Sequence, residues 1–487
     1  MAVARTAPTS SPPQSGLTFD TGKLLKAGIV VAVGLILWFI PPFGDLKVPA
    51  MHLIAIFIAT ILGLILQPLP QGAIVILGVA LTAITGTLTI NDSLAGFADS
   101  TVWLIVAAFL FSRGLIKTGL GRRIAFVMVR AFGKSTLGLG YALTLSDMII
   151  APATPSNTAR AGGILFPIVR SLAVSLGSEP GPTANKIGSY LIFNSFQVNL
   201  ITSAMFLTAV APNSMIVKLA HDSLKYDVTW TGWLWAALVP ALVSLVILPY
   251  LIFKLFNPEI KASPEAPKMA REELAKMGPM TTGEIGMAVV FVATLALWAT
   301  GQWTNLNATA IALVGVAALL VMNIIEWNDV LQEKGGWDAL VWFGGLVALA
   351  AGLSKLGVIK FLAAVLQDNL GGMSSWVIGF VLLVVAYKYS HYLIASMSAH
   401  ATAFFVPLGL VAVSLGAPVA LVVLALGFMN SLNAAMTHYG TGPAPIFFGA
   451  GYIGQGTWWK NGLIISLVNL VVWIGIGGLW WKVIGLW

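Results

Sequence analysis

The sequence predicts an all-α polytopic membrane protein with about 11 transmembrane helices and two re-entrant hairpins in an inverted repeat. Three observations predict this fold: the composition, the length of the apolar stretches and an internal repeat. Of 487 residues, 58% are hydrophobic and only 9% are charged, whereas soluble domains average about 45–50% and about 25%. Such a chain cannot hide its apolar surface from water alone, so it needs a bilayer.

Apolar stretches long enough to cross about 30 Å of hydrocarbon define the predicted spans. They lie near residues 24–41, 51–67, 71–90, 101–119, 186–211, 230–253, 284–302, 306–325, 339–354, 418–436 and 460–485. Two further apolar stretches, 136–170 and 375–410, are long but are interrupted by proline and polar residues. We predict that these two form the re-entrant hairpins.

The polar segments divide the chain. Residues 1–23 are rich in Pro and Ser and are predicted to be a disordered tail, and residues 24–50 contain a retained first span because no small-residue cleavage site follows it. The long polar linker at 256–283 separates a first repeat, 51–255, from a second repeat, 284–487.

The net charge of +8 is concentrated where spans end and gives no nucleic-acid-binding stripe. The positive-inside rule places the densest basic segment, and with it the linker, on the cytoplasmic side. This segment contains six cations and no acid: Arg113, Lys117, Arg122, Arg123, Arg130 and Lys134.

Matched residues separated by 238 to 240 positions reveal the repeat. The pairs are Trp103 with Trp342, Lys117 with Lys355, Ser156 with Ser396, Arg160 with His400, and Pro167 with Pro407. Chance similarity between apolar helices does not readily reproduce matched Trp, Lys and Pro positions. The second copy has fewer cations after its Lys-Gly pair, so the two copies are expected to face opposite sides of the membrane.

Polar motifs interrupt both predicted hairpins. The first has Ser156, Asn157 and Thr158 after two prolines, and the second has Ser396, Met397 and Ser398. Non-helical backbone at membrane depth persists only inside protein or beside a watery cavity. A helix starting after each Ser would direct free amide donors and a positive dipole end into the site, which suits a carboxylate. The alternative is hydrogen bonding between helices.

A basic or titratable residue follows each first Ser by four positions. Arg160 should cost about 2.5–3.5 kcal/mol on insertion scales, so it must face a partner or water. His400 is either neutral or charged at working pH.

A second pair of polar breaks lies further along each repeat. Thr202 leads into Pro212 and Asn213, and in the second repeat the break contains Thr441, Gly442 and Pro443. Helices unwound near the midplane line substrate or cation sites in transporters. The alternative is a loop at the membrane edge.

Four motifs carry a family resemblance: SNTAR at 156–160, SMSAH at 396–400, KTGLGRR at 117–123 and LSDMIIAP at 145–152. From about residue 30 to the end, the chain resembles the divalent anion/sodium symporter family. Within it, the chain is similar to the branch of chloroplast 2-oxoglutarate/malate translocators and bacterial citrate/succinate and tartrate/succinate antiporters. The resemblance implies an inner-membrane homodimer whose protomers each have a scaffold domain and an elevator-type transport domain. It also implies that the hairpin tips hold the carboxylates of small dicarboxylates.

The second motif departs from the family pattern, since Met397 stands where sodium-coupled members have Asn. The neighbouring sodium site is therefore in doubt, and Arg160 and His400 can supply charge in its place. We expect an obligatory exchanger of the 2-oxoglutarate, malate and succinate class, because an empty carrier with uncompensated charge would not cross. The alternative is sodium-coupled di- or tricarboxylate symport, with cations near Asn157 and Thr441.

Other classes fit the sequence less well. The absence of cysteine removes thiolate metal sites, and the five histidines show no metal-ligand spacing, so no metal site is expected. The sequence contains no set of residues typical of a catalytic nucleophile, so it does not indicate an enzyme. It also contains no ring of charged residues that would indicate a channel. No cofactor is expected, with sodium alone left open, and the partners expected are the dicarboxylate substrates, the lipid bilayer and a second copy of the chain.

Overall fold

The computed structural model describes residues 21–370, 376–394 and 396–487, and the secondary structure in these ranges is helical. Among the described residues, ten helices are long and apolar enough to cross a membrane. Each of the eleven predicted spans coincides with a helix, three of them with the shorter apolar helices at 71–84, 308–321 and 419–435. The protein is therefore a multi-pass α-helical membrane protein, as predicted.

The helices of the first half include one that lies within the central linker. They are α1 (Thr21–Trp38), α2 (Val48–Leu66), α3 (Gln71–Ile84), α4 (Ile90–Leu94), α5 (Ser100–Thr118), α6 (Leu120–Phe132), α7 (Thr136–Ile150), α8 (Phe166–Ser175), α9 (Gly188–Met205), α10 (Ala211–Leu219), α11 (Trp230–Phe256) and α12 (Glu265–Met277).

The helices of the second half follow in a similar order. They are α13 (Thr282–Ala299), α14 (Gly301–Thr304), α15 (Ala308–Val321), α16 (Trp327–Leu331), α17 (Lys334–Lys355), α18 (Val358–Leu370), α19 (Trp376–Ser390), α20 (Met397–Ser414), α21 (Val419–Leu432), α22 (Pro443–Gly449), α23 (Gln455–Leu470) and α24 (Gly477–Val483).

Helix lengths match between the two copies. Helices α6 and α18 each have 13 residues, and the first hairpin arms, α7 and α19, each have 15. With the turn that ends it, each first arm is 18 residues long, Thr136–Ala153 and Trp376–Leu393, and both belong to the ten helices long and apolar enough to cross a membrane. Each arm ends in a single 3-10 turn, at Ala151–Ala153 and at His391–Leu393, before the chain turns into the second arm.

The helices form two groups by their packing. The scaffold group, α1–α5 with α13–α17, contains the contacts of α2 with α3, α5 with α15, and α17 with α3 and α5. The hairpin group, α7–α11 with α19–α24, contains those of α7 and α21 with α9, and α19 with α21. Helices α6 and α18 connect the groups along the chain and pack on α7 and α20 respectively.

Two boundaries differ from the sequence prediction. Helix α1 begins at Thr21, within the predicted tail 1–23, and residues 1–20 of that tail lie outside the described ranges, as do residues 375 and 395 of the second hairpin. The predicted linker contains helix α12, which packs its buried Ala266 and Ala270 toward α6. A segment with a polar composition can still form a helix when its few apolar residues lie on one face of that helix.

A glycine permits the closest approach between α17 and the turn that precedes α5. A Cβ at Gly96 would lie 1.9 Å from the Gly344 carbonyl oxygen and 2.7 Å from the Ala348 nitrogen. Both atoms are backbone, so neither can rotate away.

We predict that Gly96→Ala lowers the melting temperature of the purified protein, because an overpacked helix contact costs about 1–3 kcal/mol. Gly28→Ala is the matched control, since a Cβ there meets nothing within 4 Å. Equal melting temperatures for the two variants would contradict this packing.

Candidate functional site

The tip of the first hairpin places its polar motif at a helix start. After the turn at Ala151–Ala153 the chain is extended around Thr154, and the second arm then begins with a π-helical segment, Thr158–Leu165. The Ser156 hydroxyl accepts a hydrogen bond from the Ala159 amide at 3.2 Å. Ser156 therefore acts as a helix cap, which satisfies one of the free amides at the helix start.

The tip of the second hairpin has the same local chemistry. Ser396 is the N-cap of α20, and its hydroxyl accepts from the Ala399 amide at 3.3 Å. It also accepts from Gln71 Nε2 of the scaffold group at 3.1 Å. The first Ser of each motif is thus a capping residue in both repeats.

The two tips meet at the second helix break. The Asn157 amide nitrogen donates to the Thr441 hydroxyl at 2.9 Å, and the Thr441 hydroxyl lies 3.1 Å from the Met397 sulfur. The middle residues of the two motifs therefore contact one shared threonine, and the structure brings both tips and the 433–442 break into one site.

The third residue of each motif carries an unused hydroxyl. Thr158 and Ser398 are half-buried, and neither side chain hydrogen-bonds to another residue within the described ranges. Thr158 packs on Gly442, where a Cβ would lie 2.0 Å from its hydroxyl oxygen. Two hydroxyls that occupy equivalent positions and are open on one side are suited to hydrogen-bond a ligand.

Both predicted helix breaks are present. Helix α9 ends at Met205 and α10 begins at Ala211, and in the second repeat α21 ends at Leu432 and α22 begins at Pro443. Pro212 and Pro443 lie in the first turn of α10 and α22, where the missing N–H leaves no hydrogen bond unmade.

Two residues predicted at the first break have structural roles there. The Asn213 amide donates to the Ser203 and Phe206 carbonyls at 2.8 and 3.0 Å, and so closes the end of α9. Thr202 lies in the last turn of α9, which leads into the break, and its hydroxyl donates to the Asp147 carboxylate.

Arg160 is completely buried and forms an ion pair with Asp147 of α7 at 2.9 Å. Its Nη1 donates to the carbonyls of Thr154 and Ala209, at 2.9 and 3.0 Å, and its Nη2 donates to Thr202 and Ser203 at 3.4 and 2.9 Å. All five N–H donors of the guanidinium are therefore in use.

This network corrects two expectations about Arg160. Asp147 compensates its charge, and protein groups engage all five of its donors, so none is left for a substrate. Asp147, in the LSDMIIAP segment, is the partner that the burial of Arg160 requires. Arg160 instead donates hydrogen bonds to the protein backbone, to one carbonyl of the hairpin tip and one of the α9–α10 break.

His400, the counterpart of Arg160, is also completely buried but has different partners. Its Nε2 lies 3.0 Å from the Ser390 hydroxyl, whose own proton goes to the Tyr387 carbonyl, and its Nδ1 lies 3.4 Å from the Asn430 oxygen. With the Asn430 amide oriented in this way, both ring nitrogens face oxygen atoms, and an Nε2–H can donate to the Ser390 hydroxyl. A turned Asn430 amide would suit a neutral ring.

Polar contacts join the hairpin group to the scaffold group. Besides the bond between Gln71 and Ser396, Lys218 of α10 forms an ion pair with Asp99, the N-cap of α5, at 2.9 Å. A cavity of about 640 Å³ adjoins this ion pair and is lined by α5, α10, α11 and α15. Gln71 was not predicted as a site residue. Its sequence context could have indicated it, because it is a lone amide that follows Pro70 at the start of an apolar helix.

Comparison with known proteins gives a consistent family. Residues 21–487 match the model of the sodium:sulfate symporter transmembrane region. The chain is 53% identical over 466 residues to a putative malate transporter, YflS, of Bacillus subtilis, covering 96% of this chain and 97% of that protein. It is 45% identical to the chloroplastic dicarboxylate transporter 1 of Arabidopsis thaliana, covering 94% and 82%, and 36% identical to the inner membrane protein YbhI of Escherichia coli, covering 95% and 98%.

Among solved structures, the fold is similar to the YdaH transporter of Alcanivorax borkumensis. The TM-score is 0.53 at 15% identity, and the match covers 96% of this chain and 98% of that chain. At this identity the likeness supports the fold alone.

We predict that Asp147 and Arg160 are energetically coupled. Asp147→Asn leaves the guanidinium charge buried and unpaired, which costs about 3–5 kcal/mol, so the melting temperature should fall sharply. Arg160→Gln should have a comparable effect, and the double variant should lose much less than the two single losses combined. Additive losses would show that the pair is not coupled.

Proposed function

Because this chain belongs to the sodium:sulfate symporter family, we propose that it is a secondary transporter of small dicarboxylates of the 2-oxoglutarate, malate and succinate class. The chain is a multi-pass protein of the cell membrane, and its relatives are named as malate and dicarboxylate transporters. The substrate crosses the membrane without chemical conversion, so the protein is not an enzyme.

The equivalence of the two hairpin tips carries this proposal. A dicarboxylate has two anionic ends, and each tip offers a helix start with an unengaged hydroxyl, from Thr158 and from Ser398. We propose that each hydroxyl donates to one carboxylate, while Ser156 and Ser396 keep the helix starts capped. The two tips contact each other through Thr441, which lies against Asn157 of the first tip and Met397 of the second.

We propose obligatory exchange rather than sodium symport. In transporters with broken helices, backbone carbonyls at the breaks hold sodium. Here the Arg160 guanidinium already binds two such carbonyls, of Thr154 and Ala209. A fixed cation therefore holds these groups together, and His400 would add charge on the second side when its ring is doubly protonated. The sodium alternative would place cations near Asn157 and Thr441, where the neighbouring Met397 sulfur is a poor ligand for a hard ion.

The movement proposed is of the elevator type, with the hairpin group travelling against the scaffold group. Helices α6 and α18, one in each repeat, connect the two groups. The bonds from Gln71 to Ser396 and from Asp99 to Lys218 cross between the groups and would break during the movement. The homodimer implied by the family resemblance would anchor the scaffold group.

We predict that Thr158→Val and Ser398→Ala each raise the KM for succinate exchange by about tenfold, because a hydrogen bond to a charged group contributes about 1.5–3 kcal/mol. Melting temperatures should stay near wild type, since neither hydroxyl has a protein partner within the described ranges. The control is Thr300→Val, at the far end of α13. An unchanged KM in both site variants would exclude these hydroxyls as ligands.

The transport mode has its own test. We predict that purified protein in liposomes takes up labelled succinate or 2-oxoglutarate only when unlabelled dicarboxylate is present inside, and that replacing external sodium with choline leaves the rate unchanged. Uptake into empty liposomes that is driven by a sodium gradient would identify a symporter instead.

A further inference from the structure

The second hairpin contains a buried basic side chain that the proposed site does not use. Lys388 lies in the last turn of α19 and has no exposed surface. Its ammonium nitrogen donates to the Leu432 carbonyl at 3.0 Å. Within the described ranges no Asp or Glu lies within 4 Å of this nitrogen.

An unpaired ammonium in the protein interior is costly, so its position requires a compensating interaction. Leu432 is the last residue of α21, where the helix dipole presents its negative end. The Lys388 ammonium is thus stabilised by a helix end and a main-chain oxygen, which are groups that hold free cations in transporters with broken helices.

The break next to Lys388 contains further polar atoms that lack partners. Among the residues that the structure describes, both amide atoms of Asn433 and the hydroxyl of Thr437 are buried without a hydrogen bond, as is Nδ1 of His391. The other ring nitrogen of His391 lies 2.6 Å from the Gly440 carbonyl. The segment that follows α21 therefore contains two buried side-chain oxygens, of Asn433 and Thr437, that accept no hydrogen bond from the described residues.

The first repeat explains why this charge is unusual. There the Arg160 guanidinium binds the break carbonyls and Asp147 neutralises it. The position equivalent to Asp147 at the repeat spacing of 240 residues is Tyr387. The second repeat therefore keeps a cation at its break and lacks the acid that would compensate it.

We propose that the Lys388 ammonium is a tethered cation that occupies a monovalent-cation site at the end of α21, and that removing its charge creates a sodium site there. The oxygens of Leu432, Asn433 and Thr437 would supply ligands for the ion. The inference deepens the proposed exchange mode and rests on the proposed function for its transport readout only.

The test compares wild type with Lys388→Met, which keeps an unbranched apolar side chain and removes the charge. Binding of radioactive sodium to purified protein and the melting temperature in sodium chloride against choline chloride are measured at equal ionic strength. Wild type should show neither binding nor a sodium-dependent shift, and Lys388→Met should show both. Lys360→Met, in the partly exposed helix α18, is the matched control and should behave like wild type.

Transport gives an independent readout. Succinate exchange by Lys388→Met in choline should fall by about tenfold, the size expected from losing a charged hydrogen bond, and sodium should restore it. Lys388→Arg keeps the charge and should remain insensitive to sodium.

Two results would overturn the proposal. One is a Lys388→Met protein that binds no sodium, whether or not it transports, and the other is a wild-type protein that binds sodium as well as the variant does. If Lys388→Met is unstable in choline, Lys388→Gln is measured in parallel, and failure of both variants to gain sodium-dependent stability also overturns it. If wild type carries no dicarboxylate, the proposed function fails, while the binding comparison still decides the role of Lys388.

Discussion

The buried ion pair between Arg160 and Asp147 is the interaction on which the first half of the site depends. A re-entrant hairpin and a broken helix leave carbonyls without helical partners where no water can replace them. Arg160 donates hydrogen bonds to such carbonyls at both places, those of Thr154 and Ala209, and Asp147 compensates its charge. The Thr208 hydroxyl and the Ala211 amide join the tip to the break as well, by donating to the carbonyls of Pro152 and Pro155 at 2.7 and 3.0 Å.

The two repeats meet the same constraint with different residues. Ser156 and Ser396 cap equivalent helix starts, and Thr158 and Ser398 leave equivalent hydroxyls unengaged. The cation at the break differs, because a guanidinium paired with an acid serves the first repeat and a lone ammonium serves the second. Duplication would explain the shared geometry.

The sequence predicted the elements well because they follow from local patterns. Hydrophobic length located the spans, prolines and polar clusters located the hairpin tips and breaks, and the 240-residue spacing related Ser156 to Ser396. Partners could not be predicted, because a contact such as Gln71 with Ser396 joins residues 325 positions apart. The same holds for Arg160. The cost of burying its charge predicts that it has a partner, but the identity of that partner, Asp147, depends on how α7 packs on the second arm.

The account is tested most directly by the structure of the wild-type protein with bound succinate. It predicts one carboxylate within about 3 Å of the Thr158 hydroxyl and the other near the Ser398 hydroxyl, at ordinary hydrogen-bond distances, with the pair between Arg160 and Asp147 intact. A succinate carboxylate bound to the Arg160 guanidinium in place of Asp147 would contradict it.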